Sequence, residues 1–408
     1  MKTSELSILL FCAFVLLTCS GKQANQGVDI KSDTQAEETV YPITVPFEKG
    51  MEEEREVLLS QIADKVEYIP LETSDQCLIR WLKGGAVLLQ DNHWYVYGSK
   101  DLYQFTKEGK FVRRFGSVGQ GPGQYSNIQH FDIDPENKLI YMLTTSQRIN
   151  VYSTENGKFQ KSIPVPVGTP TQFALLKDSM IASYAYNSTG REKNRVYIIN
   201  MQGDSVNAFP RYDSFEVHGG HAYMMVGTED RYISRYKDMV LLNEVYNDTI
   251  YSITKDEFLP RYYIHLGKYS IPFDCRYEYL QGNYKLFNEV ASSYVRAFTL
   301  ETDPYLFIRY CYWAGEGSDV NRLTMYNKKD KSCYKVAKDR IKNDLGNGLP
   351  VINPATVIND NQLICIYNVE DIFKMAEEDP SILKNEQLKN LKEDDNPVLM
   401  VVTLKNNL

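Results

Sequence analysis

The segment "LYQFTKEGKFVRRFG" (Leu102–Gly116) returns four times along the chain. The later copies are "INVYSTENGKFQKSI" (Ile149–Ile163), "VYIINMQGDSVNAF" (Val196–Phe209), "TIYSITKDEFLPRYYI" (Thr249–Ile264) and "LTMYNKKDKSCYKV" (Leu323–Val336). Each has two runs alternating between apolar and polar residues, joined by a polar turn with Gly, Asp or Lys. That is the signature of a β-hairpin. A hairpin cannot bury both of its faces alone, so five of them must stack on one another.

Two further strands precede each hairpin. "HFDID" (His130–Asp134) turns at "PENK" into "LIYMLT", which leads to "RINVYS". Such a four-stranded meander is a propeller blade. The third strands begin near Leu102, Ile149, Val196, Thr249 and Leu323, steps of 47, 47, 53 and 74 residues. A sixth, "PVLMVVTLK" (Pro397–Lys405), ends the series without a hairpin partner. Near the other end "VEYIPLET" (Val66–Thr73) is a strand without a blade. Pairing the two removes two free edges. The expected fold is therefore all-β: a six-bladed β-propeller over residues 57–405, closed by an N-terminal strand that completes the last blade.

The glycine-rich run "GSVGQGPGQY" (Gly116–Tyr125) is not a nucleotide loop. Phosphate binding needs a helix N-terminus after the turn, and here another strand, "IQHFDID", follows. The run reads as the crossing between two blades. "HGGH" (His218–His221) lacks a third ligand at metal spacing, and "DIDPEN" lacks the length of a calcium loop. No cofactor or metal site is expected.

Residues 1–18 carry Lys2 and the apolar stretch "LSILLFCAFVLLT", too short to span a bilayer, and read as a signal peptide. Leu16-Leu17-Thr18-Cys19 resembles a bacterial lipobox, which implies lipidation of Cys19 and membrane anchoring through its acyl chains. A polar stretch without periodicity follows to about Thr39, and residues 19–56 are expected to be a flexible tether. The net charge of −8 and the absence of a basic stripe argue against a nucleic-acid partner. Cys77, Cys275, Cys311, Cys333 and Cys365 are widely spaced, and read as small hydrophobes rather than a disulfide framework.

"GQGPGQYSNIQHFDIDPENKLIYMLTTSQRINVYSTENGKF" (Gly119–Phe159) resembles an NHL-type propeller repeat. "IADKVEYIPLET", "RRFGSVGQGPGQY" and "DDNPVLMVVTLK" are similar to segments of the six-bladed β-propeller lipoproteins of Bacteroidetes. The resemblance covers roughly residues 57–405. It implies the fold and the cell envelope, as an outer-membrane lipoprotein on the periplasmic or surface side, and no catalytic residues.

In a four-stranded blade, the loops from second to third strand share one face with the crossings between blades. Nearly all extra sequence falls there, including helical insertions expected near 274–290 and 369–393, which would lie over the ring and partly cap its channel. Elaborated loops on a rigid scaffold mark a binding face. Aromatic and polar residues on and near that face are the candidate ligand contacts: Tyr125, His130, Arg148, Tyr184, Tyr186, Arg191, Glu244, Tyr246, Tyr312, Trp313 and Asp319. Flat rings beside polar groups suit sugars and peptides. The function expected is a non-catalytic, lipid-anchored module binding a glycan, peptide or protein. Two alternatives stand beside it: a propeller hydrolase or lyase, possibly metal-assisted, and a structural subunit of an outer-membrane complex docking through apolar helices of Asn368–Asn396.

Overall fold

The structure, a computed structural model, describes residues 40–405 apart from 81, 169, 217–231, 274, 276–282, 316, 317, 319 and 347. The signal peptide, Cys19, His218, His221 and Asp319 lie outside the described residues.

Six antiparallel meanders form the blades, at residues 82–115, 128–164, 170–210, 233–264, 295–336 and 356–404. The sixth contributes three strands and takes its outermost from Ala63–Pro70, paired antiparallel with Val398–Leu404. This is the six-bladed propeller with the N-terminal closure read from the sequence. Third strands are apolar on both sides because neighbouring blades cover both faces. In Arg148–Ser153, for instance, four consecutive residues are buried. Aromatic side chains fill the wedges between blades, as where Phe115 of blade 1 meets Tyr152 of blade 2 edge-on at 6.3 Å.

The glycine run is the crossing from blade 1 to blade 2. Gly116 and Gly123 both have positive φ, 62° and 70°. A Cβ on Gly123 would stand 2.7 Å from the Phe159 ring, and the Gly123 carbonyl accepts from the Tyr152 hydroxyl at 2.6 Å. Only glycine fits that path.

Polar side chains stitch the inner strands together from blade to blade. Asp132 of blade 2 accepts from the Leu175 amide of blade 3 at 2.9 Å and from the Arg235 guanidinium of blade 4 at 2.6 Å. Burial alone would raise the Asp132 pKa. Arg235 and the Leu175 amide outweigh it and hold the carboxylate below its usual range. The Gln172 carbonyl of blade 3 accepts from the Tyr232 and Ile233 amides at 2.9 and 3.0 Å. At the short-turn end, Asp360 of blade 6 accepts from the Lys237 amide of blade 4 at 2.6 Å, reaching past blade 5.

The tether expected over 19–56 does not extend that far. Ile43–Val45 adds a parallel fifth strand to blade 4, and Glu54–Arg55 does the same for blade 5. Between them the short helix Phe47–Gly50 buries Phe47 completely, edge-on to Tyr310 at 5.4 Å. Alternation is too short in this segment to show as a strand, yet its few apolar residues all face inward. The belt covers two sheet edges that would otherwise be open to pairing.

The insertions also differ from expectation. One forms the helix Tyr284–Ala291, capped by the Asn283 side chain on the Leu286 amide. The other is helical only over Val369–Glu378; beyond Pro380, turns and a single 3-10 turn (Ile382–Lys384) continue. Proline cannot extend the helix hydrogen bonds. Ile372, Ile382 and Leu388 are buried in the core of the last blade, and Gln387 accepts from the Tyr68 amide of the closing strand. This insertion seals the outer edge of blade 6 instead of capping the channel.

Replacing Phe47 by alanine should cost about 3–5 kcal/mol, the usual loss for a buried phenylalanine. Denaturant unfolding should show a lower midpoint with little change in slope.

Candidate functional site

The two faces of the ring are unequal. Turns between first and second strands have two to four residues, and those between third and fourth strands four or five. The opposite, loop-rich face carries the long loops 186–193, 244–248, 313–321 and 368–397, and the crossings 211–232, 265–294 and 337–355.

On that face, between blades 3 and 4, lies a buried charge cluster. Glu244 follows the second strand of blade 4 and is 3% exposed in its side chain. Its carboxylate lies 3.2 Å from Arg195 Nη1 and 3.3 Å from Arg211 Nη2, both from blade 3 and its exit. Arg211 also donates to the Ala185 carbonyl at 2.7 Å and reaches Asp213 at 3.3 Å. Burial would lower the Arg211 pKa, but Glu244 prevails and raises it. The Tyr184 phenol beside it is pushed up, chiefly by burial and then by Glu244. Arg195 and Arg211 together carry one more charge than Glu244, and Asp213 at the edge balances the set.

Between blades 4 and 5 is a recess on the same face. Asn243, Glu244, Tyr246, Asp248, Arg296 and Trp313 supply its walls and rim. Ile264, Leu266, Ile271 and Val295 also line it. Its cavity volume is about 20 Å³, room for about one ordered water. Trp313 is buried and fixed by its indole N–H on the Val295 carbonyl at 3.0 Å. Tyr246 stacks on it, ring centres 4.5 Å apart and planes 18° from parallel. Tyr246 has φ of 62°, the only aromatic among the described non-glycine residues of positive φ. Blades 1 and 2 meet the same turn requirement with Ser99 and Gln147. Holding a tyrosine there costs about 1–2 kcal/mol, offset by the stack. Asp248 receives the Ser270 hydroxyl at 2.9 Å, yet burial raises its pKa.

The sequence candidates divide accordingly. Glu244, Tyr246 and Trp313 come together at the recess. Tyr184 and Tyr186 are buried beneath the charge cluster and cannot serve as open platforms. Tyr125 is buried between blades 1 and 2, its hydroxyl donating to Asp101 at 2.8 Å, so it is a packing residue. His130 is half-buried on the inner strand of blade 2, edge-on to Phe173 at 5.4 Å. Arg148 and Arg191 are exposed and stand apart from the recess, and Tyr312 lies under the Arg322 guanidinium at 5.0 Å. Sequence reasoning missed Arg195 and Arg211 of blade 3 and its exit, Arg296 of blade 5, and Asp248, which shares the 244–248 loop with Glu244. Among the described residues no three His, Cys, Asp or Glu side chains gather as a metal site, and Cys77, Cys333 and Cys365 are buried thiols outside any disulfide.

A family model described as a domain of unknown function, DUF4934, matches residues 42–403, and the chain belongs to that family. A Bacteroides fragilis protein provisionally described as exported shares 19% identity and superposes with a TM-score of 0.71, covering 89% of this chain and 100% of its own. A DUF4221 family member from Bacteroides vulgatus, at 11% identity, reaches a TM-score of 0.49 over 84% of this chain and 97% of its own. The first shows the same fold; the second is too distant to add to it. No curated protein matches the sequence.

Glu244→Gln should destabilise the protein by about 3–5 kcal/mol, because it leaves two buried guanidiniums without their carboxylate. Urea unfolding followed by circular dichroism at neutral pH measures this loss.

Proposed function

We infer that this family member is a non-catalytic binding module, held at the cell envelope by a lipid on Cys19, which presents its loop-rich face to a glycan, peptide or protein. One observation carries the reading. Among the described residues, six of the eleven exposed large apolar residues (Leu78, Val118, Tyr212, Phe273, Val320 and Leu345) lie in crossings or second-to-third-strand loops. Val206 and Leu259 are exposed as well, on fourth strands beside the short turns, and Tyr263 lies farther along the latter strand. Tyr212 is 86% exposed. Apolar groups left in water and more numerous on the loop-rich face favour a surface that is covered in use.

The envelope location draws support from the apolar leader, the lipobox and the likeness to a protein described as exported. The NHL-like character of blade 2 rests on its sequence motif. A hydrolase or lyase reading has fold analogy alone behind it.

Cys19→Ser should shift the protein from the membrane pellet to the soluble fraction without changing its melting temperature; retention in the pellet would count against the anchor. A soluble form beginning at Val40 should melt higher with a binding oligosaccharide or peptide, since ligand at 100 times Kd adds about 2.7 kcal/mol to the folded state. Serine at Tyr212, Phe273 and Val320 together should abolish that shift while leaving the ligand-free melting temperature in place.

A further inference from the structure

We propose that the outer, short-turn rim of blades 3 and 4 rests on the lipid surface that holds the Cys19 anchor, so that the loop-rich face points away from it. The proposal rests on the lipid-anchored reading above and adds an orientation and a second contact surface to it.

Among the described residues, five of the eleven exposed large apolar residues lie off the loop-rich face, and they belong to one sector of the ring. Val206 is on the outer strand of blade 3 (Ser205–Pro210), and Leu259 and Tyr263 are on that of blade 4 (Phe258–Ile264). Val40, which is 82% exposed, and Tyr41 belong to the chain arriving beside blade 4. The outer strands of the other four blades carry none of the eleven. The two blades touch here. The Asn207 side-chain amide donates to the Lys255 carbonyl at 2.9 Å, and Phe209 stacks on Phe258 with ring centres 5.4 Å apart. The Tyr41 ring lies 5.4 Å from the Arg261 guanidinium of blade 4.

Strand direction shows which end of the blade the chain enters. A fourth strand runs from its short turn toward the loop-rich face. Ile43–Val45 pairs with that of blade 4 in parallel, Ile43 opposite Tyr262 and Val45 opposite Ile264. The chain ahead of Ile43 therefore arrives from the short-turn half of the edge, where Leu259 stands. Twenty residues, 20–39, separate this point from Cys19, so an inserted lipid holds the rim within about 70 Å of the bilayer even at full stretch. The loop-rich face lies at the far end of the strands. Tethering makes contact between rim and bilayer an intramolecular event, so a modest patch suffices. Tyrosine among aliphatic side chains suits the boundary between headgroups and acyl chains. The cations nearby are engaged: Lys255 with Asp178 at 3.3 Å, Lys177 with Asp238 at 3.2 Å and Arg261 with Glu301 at 2.7 Å. The contact is therefore apolar and insensitive to salt. The same patch would suit a second copy of this chain, but the entry of the anchoring segment beside it favours the bilayer.

The test uses the full lipidated protein in vesicles of phosphatidylethanolamine and phosphatidylglycerol, with and without nitroxide-bearing lipids. Cys275 is replaced by serine, and a fluorophore is placed on one introduced cysteine at a time. Val206→Cys and Leu259→Cys report on the rim, Tyr212→Cys and Val320→Cys on the loop-rich face. All four positions are exposed, so the variants should fold. Nitroxide lipids should at least halve the fluorescence at 206 and 259, at low and high salt alike, and leave 212 and 320 unchanged. Tyr41→Ser combined with Leu259→Ser should abolish the quenching at 206 while flotation with the vesicles and the melting temperature stay as they were. Undiminished quenching in that variant overturns the patch as the contact. Flotation with quenching at 212 and 320 instead, or at none of the four, overturns the orientation and leaves the anchor standing. Cross-linking between copies through 206 or 259 assigns the patch to a second copy and overturns the proposal too. Failure of the full protein to float removes the anchor, and this inference with it.

Discussion

A ring of blades holds only when it is closed, and here closure rests on the pairing of residues 63–70 with 398–404. In every other blade the four meander strands are contiguous in sequence, and only the added edge strands of blades 4 and 5 come from elsewhere. The last alone joins the two ends of the fold, at the highest cost in loop-closure entropy. One side chain secures the seam. Asn396 is buried; its amide nitrogen donates to the Glu72 and Cys77 carbonyls, and its oxygen accepts from the Ile79 amide at 2.6 Å. That amide satisfies the backbone where blade 6 hands over to blade 1, a place with no strand partner to do so.

The two faces divide their polar chemistry differently. On the short-turn face buried charge is fully used. Glu301 receives Arg261 in a two-pronged contact at 2.7 and 2.8 Å, the Tyr262 hydroxyl at 2.7 Å and the Lys328 ammonium at 2.7 Å. These partners outweigh burial and keep its pKa low. A carboxylate so surrounded has no capacity left for a ligand. On the loop-rich face Glu244 is flanked by charge but poorly aligned with it, and among the described residues Asp248 has no cation in hydrogen-bonding contact. Saturation on one side and spare acceptors on the other agree with a scaffold face and a working face.

The fold was legible because its signal is periodic and local. Third strands observed from Asp101, Arg148, Asn194, Thr249, Arg322 and Val398 begin within two residues of their expected starts. Residues 43–55 were not legible: strands of three and two residues are too short to alternate, and parallel pairing with a distant edge leaves no turn signal nearby. The insertion at 369–393 was legible as apolar, but not where it would pack, since periodicity gives a face and not a partner. The recess was half-visible. Aromatics at loop starts pointed to Tyr246 and Trp313, whereas Arg195 and Arg211 join Glu244 only because the ring brings blades 3 and 4 side by side. For the same reason buried Tyr125 and Tyr184 were indistinguishable from exposed rings: a tyrosine with a hydroxyl partner between blades and one in a loop look alike in sequence.

The belt has a mechanical consequence. Any pull on the chain ahead of residue 40 loads Ile43–Val45 first, then Phe47 in its socket, then Glu54–Arg55. Only after those have sheared does force reach the eight residues that close the ring. The belt therefore works as a graded shock absorber in series with the closing strand: it gives way in small steps and can re-seat on blades 4 and 5, while the propeller behind it stays shut.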